Sequence, residues 1–76
     1  MLDMHVGMLW LDADKGRPFE EKVLRAADYY QEKYGRFPQL CLVSDEMLKE
    51  EKQVGKIKVK PAKTVLPHHF WLGMPG

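Results

Sequence analysis

The sequence predicts a small α+β domain. It is a three- to four-stranded mixed sheet with one long helix over residues 18–34 and one short helix, in the order β-α-β-α-β-β. Three observations predict it. The stretch PFEEKVLRAADYYQEKY, from Pro18 to Tyr34, carries the 3.6-residue period of an amphipathic helix. The segments on either side are short and either apolar throughout or strictly alternating, as strands are. Finally, 76 residues make one domain, 1–76, and a chain of that size buries only about 60% of its unfolded surface.

Met4 to Leu11 is the first expected strand. Val6, Met8 and Trp10 point one way, and Gly7, Leu9 and Leu11 the other. Both sides are apolar, which predicts cover on both. DADKGR, residues 12–17, is a loop. Pro18 suits the first helical turn, where its missing N–H costs nothing. In the helix, Phe19, Val23, Ala26, Ala27, Tyr30 and Tyr34 form the apolar stripe, with Glu21, Lys22, Arg25, Asp28, Glu32 and Lys33 mostly away from it. Glu20 and Glu21 near the positive end of the helix dipole and Lys33 near the negative end contribute about 0.3–1 kcal/mol each. The cap falls on either Asp14 or Arg17. Gly35 takes the left-handed position after the helix, and Pro38 prevents continuation.

Leu40 to Val43 (LCLV) predicts a buried strand, and strand-helix-strand in succession suggests a right-handed crossover with the two strands parallel. Ser44 resembles an N-cap, followed by a short polar helix, MLKEEKQ, anchored by Met47, Leu48 and Val54 and ended by Gly55. Lys56 to Lys60 alternates Lys, Ile, Lys, Val, Lys, the pattern of a strand wet on one face. Pro61-Ala62-Lys63 makes a turn. Thr64–Leu66 and His68–Leu72 form a last strand bent at Pro67, and residues 73–76 fray.

Composition bounds the function. Twelve basic and eleven acidic residues leave a net charge of +1, which argues against a dedicated polyanion binder. Cys41 is the only cysteine, so an internal disulfide is excluded; a free thiol in an apolar run suits a reducing compartment. Zinc-ligand spacings are absent. MLDMHVGMLWLD has no basic leader, and no run approaches the ~18 apolar residues of a membrane span. The expectation is a cytoplasmic protein without cofactor or membrane association.

Several residues invite a chemical role. Asp12 and Asp14 follow an apolar strand, as in the Asp-x-Asp pair of phosphoryl-transfer enzymes, and two carboxylates there suit Mg²⁺. Loop solvation and helix capping explain them more simply. His68 and His69 carry metal-binding nitrogens, but strand neighbours point to opposite faces; His5 plus one of the pair lacks a third ligand. One buried, hydrogen-bonded histidine and one exposed is the plainer account. Lys56, Lys58 and Lys60, with Lys52 and Lys63 nearby, form a basic stripe about 13 Å long that suits a phosphate backbone. Its plainer role is to guard a strand against edge-to-edge aggregation. Tyr30 and Tyr34 fit the core better than a pocket. Cys41 lies between leucines as a small hydrophobe, and Gly16 and Gly35 are too isolated to cradle phosphate.

GMLWLD, YYQEKYG with a proline three residues after the glycine, and VLPHHFW together resemble a group of small uncharacterised prokaryotic proteins. The likeness runs from Gly7 to Gly73. It implies a complete small protein and transfers no functional residue.

The expected function is association, as a homodimer and with a protein partner. One helix covers one sheet face, whereas apolar residues occupy both. Val6, Met8, Trp10, Phe70 and Trp71 are the expected contact, since interface centres favour aromatics and Met. No catalytic site is recognisable. Nucleic-acid binding through Lys56–Lys63 is the alternative, and a metal-dependent hydrolase using Asp12, Asp14 and a histidine is the least favoured.

Overall fold

The structure, a computed structural model, describes residues 7–74. The chain runs β1 (Gly7–Leu11), α1 (Phe19–Tyr34), β2 (Leu40–Ser44), β3 (Lys52–Val54), β4 (Ile57–Ala62) and β5 (His69–Gly73). The five strands form one sheet in the order β1-β5-β2-β4-β3. β2 and β4 are parallel; the other neighbouring pairs are antiparallel.

Strand alternation sorts the side chains into two layers. On the helix side, register aligns Met8, Leu72, Cys41 and Val59 in one row and Trp10, Phe70 and Val43 in the next. Val23, Ala26, Ala27 and Tyr30 of α1 pack on these rows, and all four are fully buried. The two alanines have no bulk to hold the helix off the sheet. The ends of the helix are tied down as well. Glu20 pairs with Lys52 of β3, and the Tyr34 hydroxyl donates to the Gly7 carbonyl at 3.2 Å. Trp10 stacks on Tyr29 with ring centroids 4.5 Å apart, and Phe19 meets Phe70 at 5.9 Å.

The predicted helix stripe is present, with one addition. Lys22, expected on the wet side, is buried, as a long aliphatic stem permits. Neither Asp14 nor Arg17 caps the helix: Pro18 is the cap residue and makes no side-chain bond. Gly35 closes the other end in the left-handed conformation, its N–H donating to the Gln31 carbonyl.

The class is α+β as expected, but the element count differs. The short second helix is replaced by a turn and a strand. Met47 and Leu48 N–H groups bond to the Ser44 carbonyl, and the Glu46 N–H to Ser44 Oγ, so one turn forms. Lys49, Glu50 and Glu51 then supply nothing apolar to hold a second turn. Lys52–Val54 instead pairs with β4 across a two-residue loop, Gly55-Lys56. Gly55 has φ 59°, and glycine first with positive φ is the arrangement of a type II′ hairpin turn. Lys56 therefore lies in the turn, not the strand.

Two further expectations change, and the strand order is added. β1 and β2 run in the same direction, as expected, with β5 between them. Phe70-Trp71-Leu72 puts large groups on both faces, and an interior position covers more of them. β4 extends through Pro61 and Ala62 instead of turning there. Beyond Val59 it has no β3 partner, so a proline is tolerated at that open side. The last strand begins only at His69. Leu66-Pro67-His68-His69 is a turn closed by the His69 N–H to the Leu66 carbonyl at 3.1 Å, with His68 at φ 67°.

Candidate functional site

The sheet face opposite α1 carries no described element. Register places Leu9, Trp71, Leu42 and Lys60 in one row across it, and Gly7, Gly73, Leu40, Lys58 and Gln53 in the next. The face is therefore divided. Over β1, β5 and β2 it is apolar; over β4 and β3 it is basic and polar.

The apolar half holds a shallow groove of about 390 Å³ lined by Leu9, Leu42, Thr64, Val65, Leu66, His69 and Trp71. Leu9, Leu11 and Leu66 are 57%, 61% and 67% exposed, so large aliphatic groups face water on a side where folding leaves them uncovered. Trp71 is half-buried. Its ring leans across Gly7: a Cβ on Gly7 would lie 2.7 Å from Trp71 Cζ2. The glycine is what lets the indole lie along the sheet. His69 Nδ1 lies 2.9 Å from the Pro67 carbonyl; donating there leaves Nε2 as the acceptor.

The basic half holds a second groove of about 550 Å³, lined by Phe37, Pro38, Gln39, Leu40, Gln53, Lys56, Lys58 and Lys60. Lys60 lies 3.7 Å from Glu51. Lys56 and Lys58 have no acidic partner among the described residues. Lys63 lies in the turn after β4 and does not line this groove.

Five residues were expected at an interface, and the structure separates them. Val6 lies outside the described residues. Met8 and Trp10 face the helix and pack against the core. Phe70 is fully buried beneath the helix. Only Trp71 lies on the open face. Periodicity correctly grouped Met8 with Trp10 and Leu9 with Leu11, but nothing in it says which group the helix covers. Leu9, Leu11, Leu42 and Leu66, not among the five, lie on the open face with Trp71; for Leu9 and Leu11 the signal was the second apolar parity of the first strand.

The aspartates form a loop clasp. Asp12 is buried. Its Oδ2 accepts from Arg17 Nη1 at 2.9 Å, and its Oδ1 accepts the Asp14 N–H at 3.0 Å. Asp14 Oδ1 accepts the Gly16 N–H. Burial pushes the Asp12 carboxyl up, but the Asp14 amide, Arg17 and the charge of Lys22 together hold it below its ordinary value. Both oxygens are committed within the loop. His68 is exposed; its N–H donates to Met47 Sδ, and its carbonyl accepts the Asp12 N–H. His5 lies outside the described residues. Among the described residues no three His, Cys, Asp or Glu side chains come together as a metal site. Cys41 is fully buried, and burial pushes its thiol up to about 12, so at neutral pH it is un-ionised and a poor nucleophile.

No helix among the described residues is long and apolar enough to cross a membrane. Comparisons of the chain with protein-family models, curated proteins and solved structures each return no match. The functional reading therefore rests on the geometry of the open face.

Proposed function

We propose that this is an association domain whose partner is a second copy, docked on the apolar half of the open sheet face. The observation that carries the reading is three leucines, each more than half exposed: Leu9 and Leu66 line the groove with Trp71 and Leu42, and Leu11 lies opposite His69 on the same face. Covering each leucine contributes about 1 kcal/mol or more.

The division of the face selects the mode of docking. A two-fold axis running along β5 lays β1 of each copy over β2 of the other, so apolar meets apolar. Lys56, Lys58 and Lys60 then stay in water at both flanks. Full overlay of the two faces would instead bury lysines on leucines. Three strands at ~4.8 Å spacing and five residues at ~3.3 Å make a patch of roughly 250 Å² in plan. That is well below the ~800 Å² per partner of a standard stable interface, so the dimer is weak and concentration-dependent.

Sedimentation across a micromolar series tests this. The wild type should shift from monomer toward dimer, and Leu9→Gln with Leu66→Gln should stay monomeric with an unchanged far-UV spectrum. A wild-type monomer at several hundred micromolar, or a double variant that dimerises as well as the wild type, would sink the proposal.

A further inference from the structure

We propose that the basic half of the open face binds single-stranded nucleic acid, with phosphates on Lys56, Lys58 and Lys60 and a base against Phe37. The site is separate from the apolar half and does not depend on dimerisation.

The first support is the position of β4. Lysines on an edge strand are explained by protection against aggregation, but β4 is an interior strand, flanked by β2 and β3. The edge beyond it is β3, whose own Lys52 is engaged with Glu20 of the helix. Lys58 therefore projects from the interior of the sheet face, between β2 and β3, where edge protection does not account for it; Lys60 follows just past the end of β3.

Charge is the second support. The near-neutral total hides a segregation. Glu20, Glu21, Asp28 and Glu32 belong to α1, on the opposite layer. On the groove side, Glu51 at 3.7 Å from Lys60 is the one acidic contact among the described residues. Lys56 and Lys58 have none. Such a surface complements a polyanion.

Shape then chooses the kind of polyanion. Lys58 and Lys60 share a face two residues apart, about 6.6 Å along the strand. A five-stranded face is roughly 19 Å across at ~4.8 Å per spacing, too broad for a major groove ~12 Å wide. Single strands lie along basic grooves and stack their bases on aromatic rings. Phe37, half-buried and packed against the core, brings the part of its ring left exposed to the wall of this groove, and Gln39 and Gln53 line it with amides.

The test is fluorescence anisotropy of a short labelled oligothymidylate over ~25–300 mM salt. Three lysine–phosphate contacts predict a slope of about −2 in log K against log salt, at ~0.7 per contact for single strands. Each single Lys→Gln variant should lower the slope by about 0.7, and the triple variant should lose binding while its melting curve stays unchanged. Phe37→Leu keeps an apolar wall; it should weaken binding about tenfold and leave the slope alone. Binding should survive Leu9→Gln with Leu66→Gln, which separates its failure from failure of the dimer. Absence of binding at low salt overturns the proposal. So does a triple variant that binds like the wild type, or thymidine monophosphate or a duplex bound as tightly as the single strand.

Discussion

Over β1, β5 and β2 the two faces of the sheet are both apolar and meet different fates. On the helix side, Cys41, Val43, Ile57, Val59, Phe70 and Leu72 are completely excluded from water. On the other side, Leu9, Leu11 and Leu66 are more than half exposed. Neighbours in sequence are split between the two: Phe70 is sealed under α1 while Trp71, the larger ring, faces out. One helix satisfies one face, and among the described residues nothing covers the apolar groups of the other. Those uncovered groups are the physical content of the functional reading, because exposed apolar groups gathered on one surface mark contact sites.

Substitutions can break or sharpen this contrast. The largest effect belongs to Phe70→Ala. A fully buried phenylalanine should cost about 3–5 kcal/mol in urea unfolding, whereas Leu9→Ala should cost about 1 kcal/mol or less and act on association instead. Equal losses at the two sites would abolish the distinction between the faces.

Thiol chemistry offers the next contrast. Cys41 should resist Ellman's reagent in native protein and react fully once unfolded. Leu9→Cys in a Cys41→Ala background should react at once. Burial raises the Cys41 thiol from 9.0 to about 12 in the fold. Its contribution to stability is therefore intact below pH 9.0 and is lost as pH climbs toward about 12. A native Cys41 that labels as fast as the Leu9→Cys thiol would place that face in contact with water.

Gly7→Ala reports on the open face alone. The new Cβ displaces the Trp71 ring, and because that side is uncovered the ring can swing outward. A stability loss of about 1 kcal/mol with a red-shifted tryptophan emission is expected. A loss of several kcal/mol would mean that the indole is packed as tightly as the buried rings.

The smallest effect lies in the loop before the helix. The Asp12 carboxyl is held down by the Asp14 amide and Arg17 against the opposing pull of burial. Its contribution is thus present above the unfolded value of 3.8 and lost as pH falls through the lower folded value. Asp12→Asn should flatten the acid limb of the stability curve below about pH 4. An acid limb identical to that of the wild type would show that the clasp is not what titrates there.

Legibility followed the length of the pattern. The long helix was visible in a stripe repeated over more than four turns, from Phe19 to Tyr34, and the second strand in the apolar run Leu40 to Val43. The segment after Ser44 misled because a capping serine followed by two acids does start a turn. What extends a turn into a helix is apolar contact, and Lys49-Glu50-Glu51 has none. The hairpin signal lay in Val54-Gly55-Lys56-Ile57, where a two-residue step led by a glycine separates two apolar residues and switches the alternation. At the candidate sites, the lysine stripe was visible through Lys56, Lys58 and Lys60, but its place in the sheet was not. A strand carries no mark of whether it sits at an edge.

The sequence by itself determined which residues travel together: the stripe of α1, the two parities of β1, the buried Ile57 and Val59 against the outward lysines. These follow from the 3.6- and two-residue periods, which are local. Only the tertiary structure decided that β5 enters between β1 and β2, that the helix covers the Met8–Trp10 parity, and that leucines and lysines share the face left open. Strand order and layer choice depend on contacts between segments far apart in the chain. An apolar residue is equally content on either side until the helix arrives to cover one of them.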